Sequence, residues 1–273
     1  MITYYSSVSE LRALTTYDWT HSRNRNRVNQ VMDRDGKEWL GLPSARACIQ
    51  ALTDGYPAGA DKIQSAINEL SNLPKAIGIG RVLVRGMMGD ELDIHAVNRG
   101  DLGNAFTSRK RLLKKAVANI RVVIDICGNC DVDSDKLLWR GVAGLALANI
   151  MTKAKYKTEI IGAIGVRNHY DGAEVDVIGI TVKSFGITAD NNLLASTVCL
   201  AGFFRTLGFI AIIKQAEDAG ENIASSIGQS INIESYYPVD NKCTQIIVPE
   251  SIYSKYSAIK WLNETIDLIQ GSK

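Results

Sequence analysis

Two groups of residues have types and spacings that could do chemistry, and both suit a polyanion. The first is the run Arg23-Asn-Arg25-Asn-Arg27, followed by Arg34 and Lys37, with Tyr17, Trp19 and Trp39 around it. The second is Arg109, Lys110, Arg111, Lys114 and Lys115. Cations neutralise phosphates, and aromatic faces or guanidinium planes stack on unpaired bases, so the combination fits single-stranded nucleic acid. The ordinary alternative is a solvated charged surface, with Trp19 and Trp39 anchoring an arm on the core.

Other motifs are weaker. Asp125-Ile-Cys127-Gly-Asn129 ends an apolar run, where a von Willebrand factor A domain carries its Asp-x-Ser-x-Ser metal motif. Cys127 and Asn129 stand in place of both serines, and a hard divalent cation prefers oxygen ligands to a thiol. Cys127 and Cys130 form a Cys-x-x-Cys that a redox protein or half a zinc site could use, but the other half of a zinc site is missing. The expectation is therefore no metal and no cofactor. Gly78-Ile-Gly80 and Gly162-Ala-Ile-Gly165 do not fit a phosphate-binding loop. Asp131, Asp133 and Asp135 read as acids at the positive end of a helix.

The elements that must position these residues follow from hydrophobic periodicity. Residues 8–14 form a short helix with Ser9 as its candidate cap, and residues 17–39 read as an exposed arm. Helices are expected at 43–54 and 60–70, and a hairpin from 80–86 and 91–98. Residues 108–118 read as a basic helix with Leu112, Leu113, Ala116 and Val117 on its apolar face. The remainder alternates: strand 120–127, helix to about 151, strands 158–166 and 175–185, helix 193–207, short strand 209–213, strand 243–248 and helix 254–269. Alternating strands and helices predict an α/β fold with a mainly parallel sheet flanked by helices and a mixed α+β N-terminal part.

Composition sets the outer bounds. The chain has 273 residues, 46% hydrophobic and 22% charged, with net charge +2, which excludes disorder. No apolar run reaches the roughly 18–20 residues of a membrane span. Residues 1–10 do not read as a signal peptide. Five cysteines, mostly in apolar context, suggest a reducing compartment. The net charge conceals a division: residues 1–121 carry 18 basic and 12 acidic residues, or +6, and residues 122–273 carry 13 and 17, or −4. A basic N-terminal part (1–121) and an α/β part (122–273), packed as one unit, are expected.

Two stretches carry a resemblance. One is Trp39-Leu-Gly-Leu-Pro-Ser-Ala-Arg-Ala-Cys-Ile-Gln-Ala-Leu-Thr-Asp-Gly-Tyr-Pro-Ala-Gly59; the other is Val122-Val-Ile-Asp-Ile-Cys-Gly-Asn129 followed by Leu137-Leu-Trp-Arg-Gly-Val-Ala-Gly-Leu-Ala-Leu147. Across roughly residues 39–213 the chain resembles the single-stranded-DNA-binding RNA polymerase cofactors (Drc type) of lytic short-tailed bacteriophages. The resemblance implies a non-catalytic viral protein of the host cytoplasm. It would bind unpaired DNA, help a phage RNA polymerase engage promoters, and not use an OB-fold. Arg23, Arg25, Arg27, Arg34, Lys37, Arg109, Lys110, Arg111, Lys114 and Lys115 are the expected phosphate contacts, and Tyr17, Trp19 and Trp39 the expected stacking residues. A homo-oligomer is expected, because linked weak sites raise avidity. The alternative is a von Willebrand A-like interaction module without nucleic-acid activity.

Overall fold

Strand β5 (Asn119–Asp125) is buried on four consecutive residues at its C-terminal end, as a strand covered on both faces must be. In the computed structural model, which describes residues 2–69, 81–86, 88, 91–111, 119–167, 175–220 and 229–271, this strand lies inside the main sheet. Its neighbours are β6 (Lys157–Arg167) and β9 (Thr244–Val248), both parallel to it, with Val122 opposite Ile160 and Ile246. Beyond β6 come β7 (Val175–Lys183), antiparallel to β6, and β1 (Ile2–Tyr5), parallel to β7. The order is β1-β7-β6-β5-β9, and β8 (Gln229–Ser230) pairs with the end of β6. The expected mainly parallel, helix-flanked sheet is present, with one antiparallel pair inside it.

The helices are α1 (Val8–Ala13), α2 (Arg25–Met32), α3 (Lys37–Leu40), α4 (Ala45–Asp54), α5 (Pro57–Glu69), α6 (Ile94–Asn98), α7 (Ser134–Lys153), α8 (Asn191–Val198), α9 (Ala201–Phe203), α10 (Phe209–Asp218) and α11 (Lys255–Gly271). Helix α7 crosses from β5 to β6 and is buried almost all round, because sheet and helices cover it from different sides. Its glycines permit this. A Cβ on Gly144 would collide with Ile124, and one on Gly141 would overlap the Val198 carbonyl oxygen at the end of α8. Gly202 in α9 has the same role against Cys48 Sγ of α4. The opposite face of the sheet packs Val123, Ile161, Ala163 and Val177 under Ile233 and Tyr237.

Contacts divide the chain into two compact units, residues 1–72 with 119–273, and residues 73–118. The smaller holds an antiparallel sheet of β2 (Arg81–Gly86), β4 (Phe106–Arg111) and β3 (Glu91–Leu92), with β4 in the middle. Nine basic and four acidic residues give this unit +5, and the remainder is −3. The basic excess seen over residues 1–121 therefore belongs to the small unit, since residues 1–72 are neutral at eight against eight.

Several local expectations are corrected. The expected basic helix is strand over Phe106–Arg111, and the apolar positions that suggested a helix, 112–118, lie outside the described residues. The expected hairpin does not form, because β2 and β3 each pair with β4 and 94–98 is helical. The arm is structured as α2 and α3. Residues 209–213 belong to α10, since a short apolar run reads alike as buried strand or buried helix. The cap of α1 is Ser7, whose hydroxyl accepts from the Glu10 N–H. Strand β1, not foreseen, draws its order from the distant β7.

Among the described residues, no single helix is long and apolar enough to cross a membrane. The pair Asn191–Val198 and Ala201–Asp218 passes on length and composition, but it is bent by 59° and mostly buried within the fold. We predict that Gly141→Ala destabilises the protein by about 2 kcal/mol or more through overpacking, despite alanine's better helix propensity. Gly103→Ala, which meets open space, should be near neutral. Urea unfolding of both variants checks this.

Candidate nucleic-acid interface

The loop after β5, residues 126–133, leaves the carboxyl ends of the parallel strands between β6 and β9. The chain order reverses at β5, which is where open α/β sheets place ligand crevices. Two buried arginines set this loop. Arg140 of α7 donates from Nη1 to the Cys127 carbonyl at 2.6 Å and from Nη2 to the Tyr253 hydroxyl at 3.0 Å, and its guanidinium lies 5.0 Å from the Tyr253 ring centroid. Its Nη1 is also 3.4 Å from Asp125 Oδ2, while Asp125 Oδ1 accepts the Cys127 N–H at 2.9 Å.

Arg205 is the second. It sits on a π-helical turn, Phe204–Gly208, and is 1% exposed. Nη2 donates to the Asn129 carbonyl at 3.0 Å and the Val132 carbonyl at 2.5 Å, and Nη1 donates to the Trp39 carbonyl. A cation with no carboxylate within ion-pair distance is thereby held by three carbonyl dipoles and the Trp39 ring, 4.6 Å from its guanidinium carbon. Burial lowers its pKa to about 10, so it stays charged at neutral pH.

Burial pushes Asp125 the other way, up to about 7, against the opposing pull of Arg140 and the Cys127 N–H; Glu250 and Glu234 add to the rise. The carboxylate is thus engaged by a guanidinium and an amide, which occupies the position that the metal motif of the sequence would require. Among the described residues, no group of three or more His, Cys, Asp or Glu could hold a metal ion. Burial also raises the Cys127 thiol well above its ordinary range, and Cys130 is exposed, so this pair lacks the lowered thiol pKa of a redox nucleophile.

The expected site residues fall into separate settings. Arg23 and Arg25 are exposed at the N-terminal end of α2, and Arg27 bonds Gln30 Oε1 at 2.9 Å. The turn that presents them is held by Glu217 of α10, whose Oε2 accepts from Ser22 Oγ and Asn24 Nδ2. Arg34 is exposed, with its guanidinium 4.1 Å over the Trp39 ring. Lys37 lines a cleft of about 430 Å³ with Glu38, Tyr56, Ser134 and Leu200. In the small unit, Arg111 stands opposite Arg81, Lys110 opposite Val82 and Arg109 opposite Leu83. Lys114 and Lys115 lie outside the described residues.

The aromatic trio needs correction. Trp19 is 8% exposed, packs edge-on against Tyr17 at 4.9 Å, and donates from Nε1 to the Leu14 carbonyl. It is an anchor of the core, and its ring is not offered to a base. Trp39 is half-buried under Arg34, Arg205 and Phe209. Tyr17 alone of the three is exposed, with Lys214 Nζ 5.0 Å from its ring centroid. The tie between Arg205, Trp39 and the 126–133 loop had no signal in the sequence, because a lone Arg in an apolar helix has no periodic partner. Arg140-Gly141 was visible as a motif, but its reason was not.

The fold and these features define an α/β protein with a mostly parallel sheet and a separate basic antiparallel unit. The chain belongs to the family of the domain of unknown function DUF7192, whose model matches residues 1–264. Neither a curated protein nor a solved structure matches it.

Two outcomes are expected from this geometry. Removing Arg140 by Arg140→Ala strands a buried carboxyl and a carbonyl, with a loss of about 3–5 kcal/mol in chemical denaturation at pH 8. Because the Asp125 pKa is raised on folding, its contribution favours the fold below the unfolded value near 3.8 and is lost as pH rises through about 7. Asp125→Asn should flatten that part of the stability–pH profile, by an amount on the order of a few kcal/mol.

Proposed function

We propose that this protein binds single-stranded nucleic acid through its basic residues, without catalysis and without a cofactor. The observation that carries the reading is the β2–β4 ladder. Its 12 residues include five cations, Arg81, Arg85, Arg109, Lys110 and Arg111, no acid, and one directly opposed like-charge pair, Arg81 and Arg111. Opposed like charges destabilise a sheet pair, and a bound polyanion relieves that cost. A second place repeats the pattern. Arg23, Arg25 and Arg27 gather at the positive end of α2, whose first turn has no acid. Phosphates at that helix end would be favoured by both the charges and the dipole.

Exposed Tyr17 supports base stacking in this reading, and the exposed guanidinium of Arg34, backed by Trp39, offers a second flat surface. With the resemblance to the phage cofactors, the reading extends to a viral protein of the host cytoplasm that helps a phage RNA polymerase use unpaired promoter DNA, working as a homo-oligomer. In the same reading the α/β unit is a distant von Willebrand A-like arrangement and not an OB-fold. Supporting that are Asp125 at the end of a parallel strand and the open strand order.

The test is a titration with single- and double-stranded oligonucleotides at two salt concentrations. Preference for the single strand is expected, with log affinity falling against log salt by about 0.7 per phosphate contacted. Reversing Arg109, Lys110 and Arg111 to Glu should weaken binding by about tenfold or more and reduce that slope. Equal affinity for both forms, or no salt dependence, contradicts the proposal.

A further inference from the structure

The small unit exposes apolar surface as well as cations. Among its described side chains, Ala96 and Ala105 are the buried hydrophobics, whereas Met88, Leu92, Ile94, Val97 and Leu102 are exposed, Ile94 and Leu102 each by 63%. Leu92 lies on β3, Ile94 and Val97 on α6, and Leu102 on the turn that follows. Backbone bonds from Asp93 to Ala105 at 2.7 Å and from Asp101 to Ala96 at 3.0 Å draw these segments into one stretch of surface. An exposed apolar cluster of this kind marks an interaction site.

Its chemistry selects among occupants. The side chains are aliphatic or thioether, so they offer no ring for a base to stack on. Acids stand among them, Glu91, Asp93 and Asp101, beside His95 and Arg99, and an anionic membrane surface favours a purely basic rim. An apolar centre with a rim of both signs is the composition of a protein–protein interface. The partner is indicated by charge: the small unit is +5 and the rest of the chain −3, so the surface that complements it is present on every other copy.

We propose that the face made by Leu92, Ile94, Val97 and Leu102 docks a second copy of this chain, head to tail, on that copy's acidic α/β unit. Such a contact joins unlike surfaces and therefore extends into open chains or closes into rings. The proposal rests on exposure and charge, and does not depend on nucleic-acid binding.

Sedimentation velocity without nucleic acid tests it, over a concentration series at low and high salt. The average mass of the wild type should rise at least twofold with concentration and fall with added salt. The double variant Ile94→Asp with Leu102→Asp alters exposed positions, so it should keep its circular dichroism and melting temperature. It should remain monomeric where the wild type assembles, and should shorten wild-type assemblies when mixed in, because its acceptor surface is intact. Leu102→Ser should give an intermediate result. A wild type that is monomeric throughout, a variant that assembles like the wild type, or a monomeric variant that leaves wild-type assemblies unchanged overturns the proposal.

Discussion

The constraint on which the α/β unit depends is the burial of two guanidinium groups beneath one loop. Arg205 carries a full charge into the helical layer, where three carbonyls and an indole ring must replace its water. Two of those carbonyls belong to the 126–133 loop and the third to Trp39. The end of α3, the loop after β5 and the turn between α9 and α10 therefore take one arrangement together. Arg140 does the same from α7, tying the Cys127 carbonyl to Asp125 and Tyr253. Removing either cation leaves buried acceptors without donors, which costs more than the bond itself.

The same interactions reassign chemistry. Asp125 and Cys127 have the spacing of a metal or redox motif, yet one is engaged by Arg140 and the other is sealed by burial. Trp39, a natural stacking residue by type, is covered by Arg34 and Arg205. Chemistry that residue type suggests is here spent on holding the fold, and the exposed candidates for binding are cations and Tyr17.

Much of the α/β unit was legible, because its strands are apolar runs of the right length and its helices carry stripes and caps. Ser44 caps α4 by accepting the Ala47 N–H, as a serine before an apolar stripe should. What failed had long-range causes. β1 has no identity without β7, and Arg109–Arg111 takes strand geometry only because β2 lies alongside. The Phe209–Ile213 run is helical because α10 continues from the turn that carries Arg205. Of the candidate site, the cations were readable from type and spacing; the loss of Trp19 to the core was not, since burial is set by residues distant in sequence. The charge division was also visible, but its boundary was not. The basic excess lies in residues 73–118, and the first 72 residues are neutral.

The central claim is that this small basic unit is where a polyanion binds. Backbone amide hydrogen exchange with and without a single-stranded oligonucleotide tests it most directly. The account predicts added protection across 81–86 and 106–111, with a smaller effect at the start of α2. Unchanged exchange in both strands, or protection confined to the 126–133 loop and α7, would contradict it.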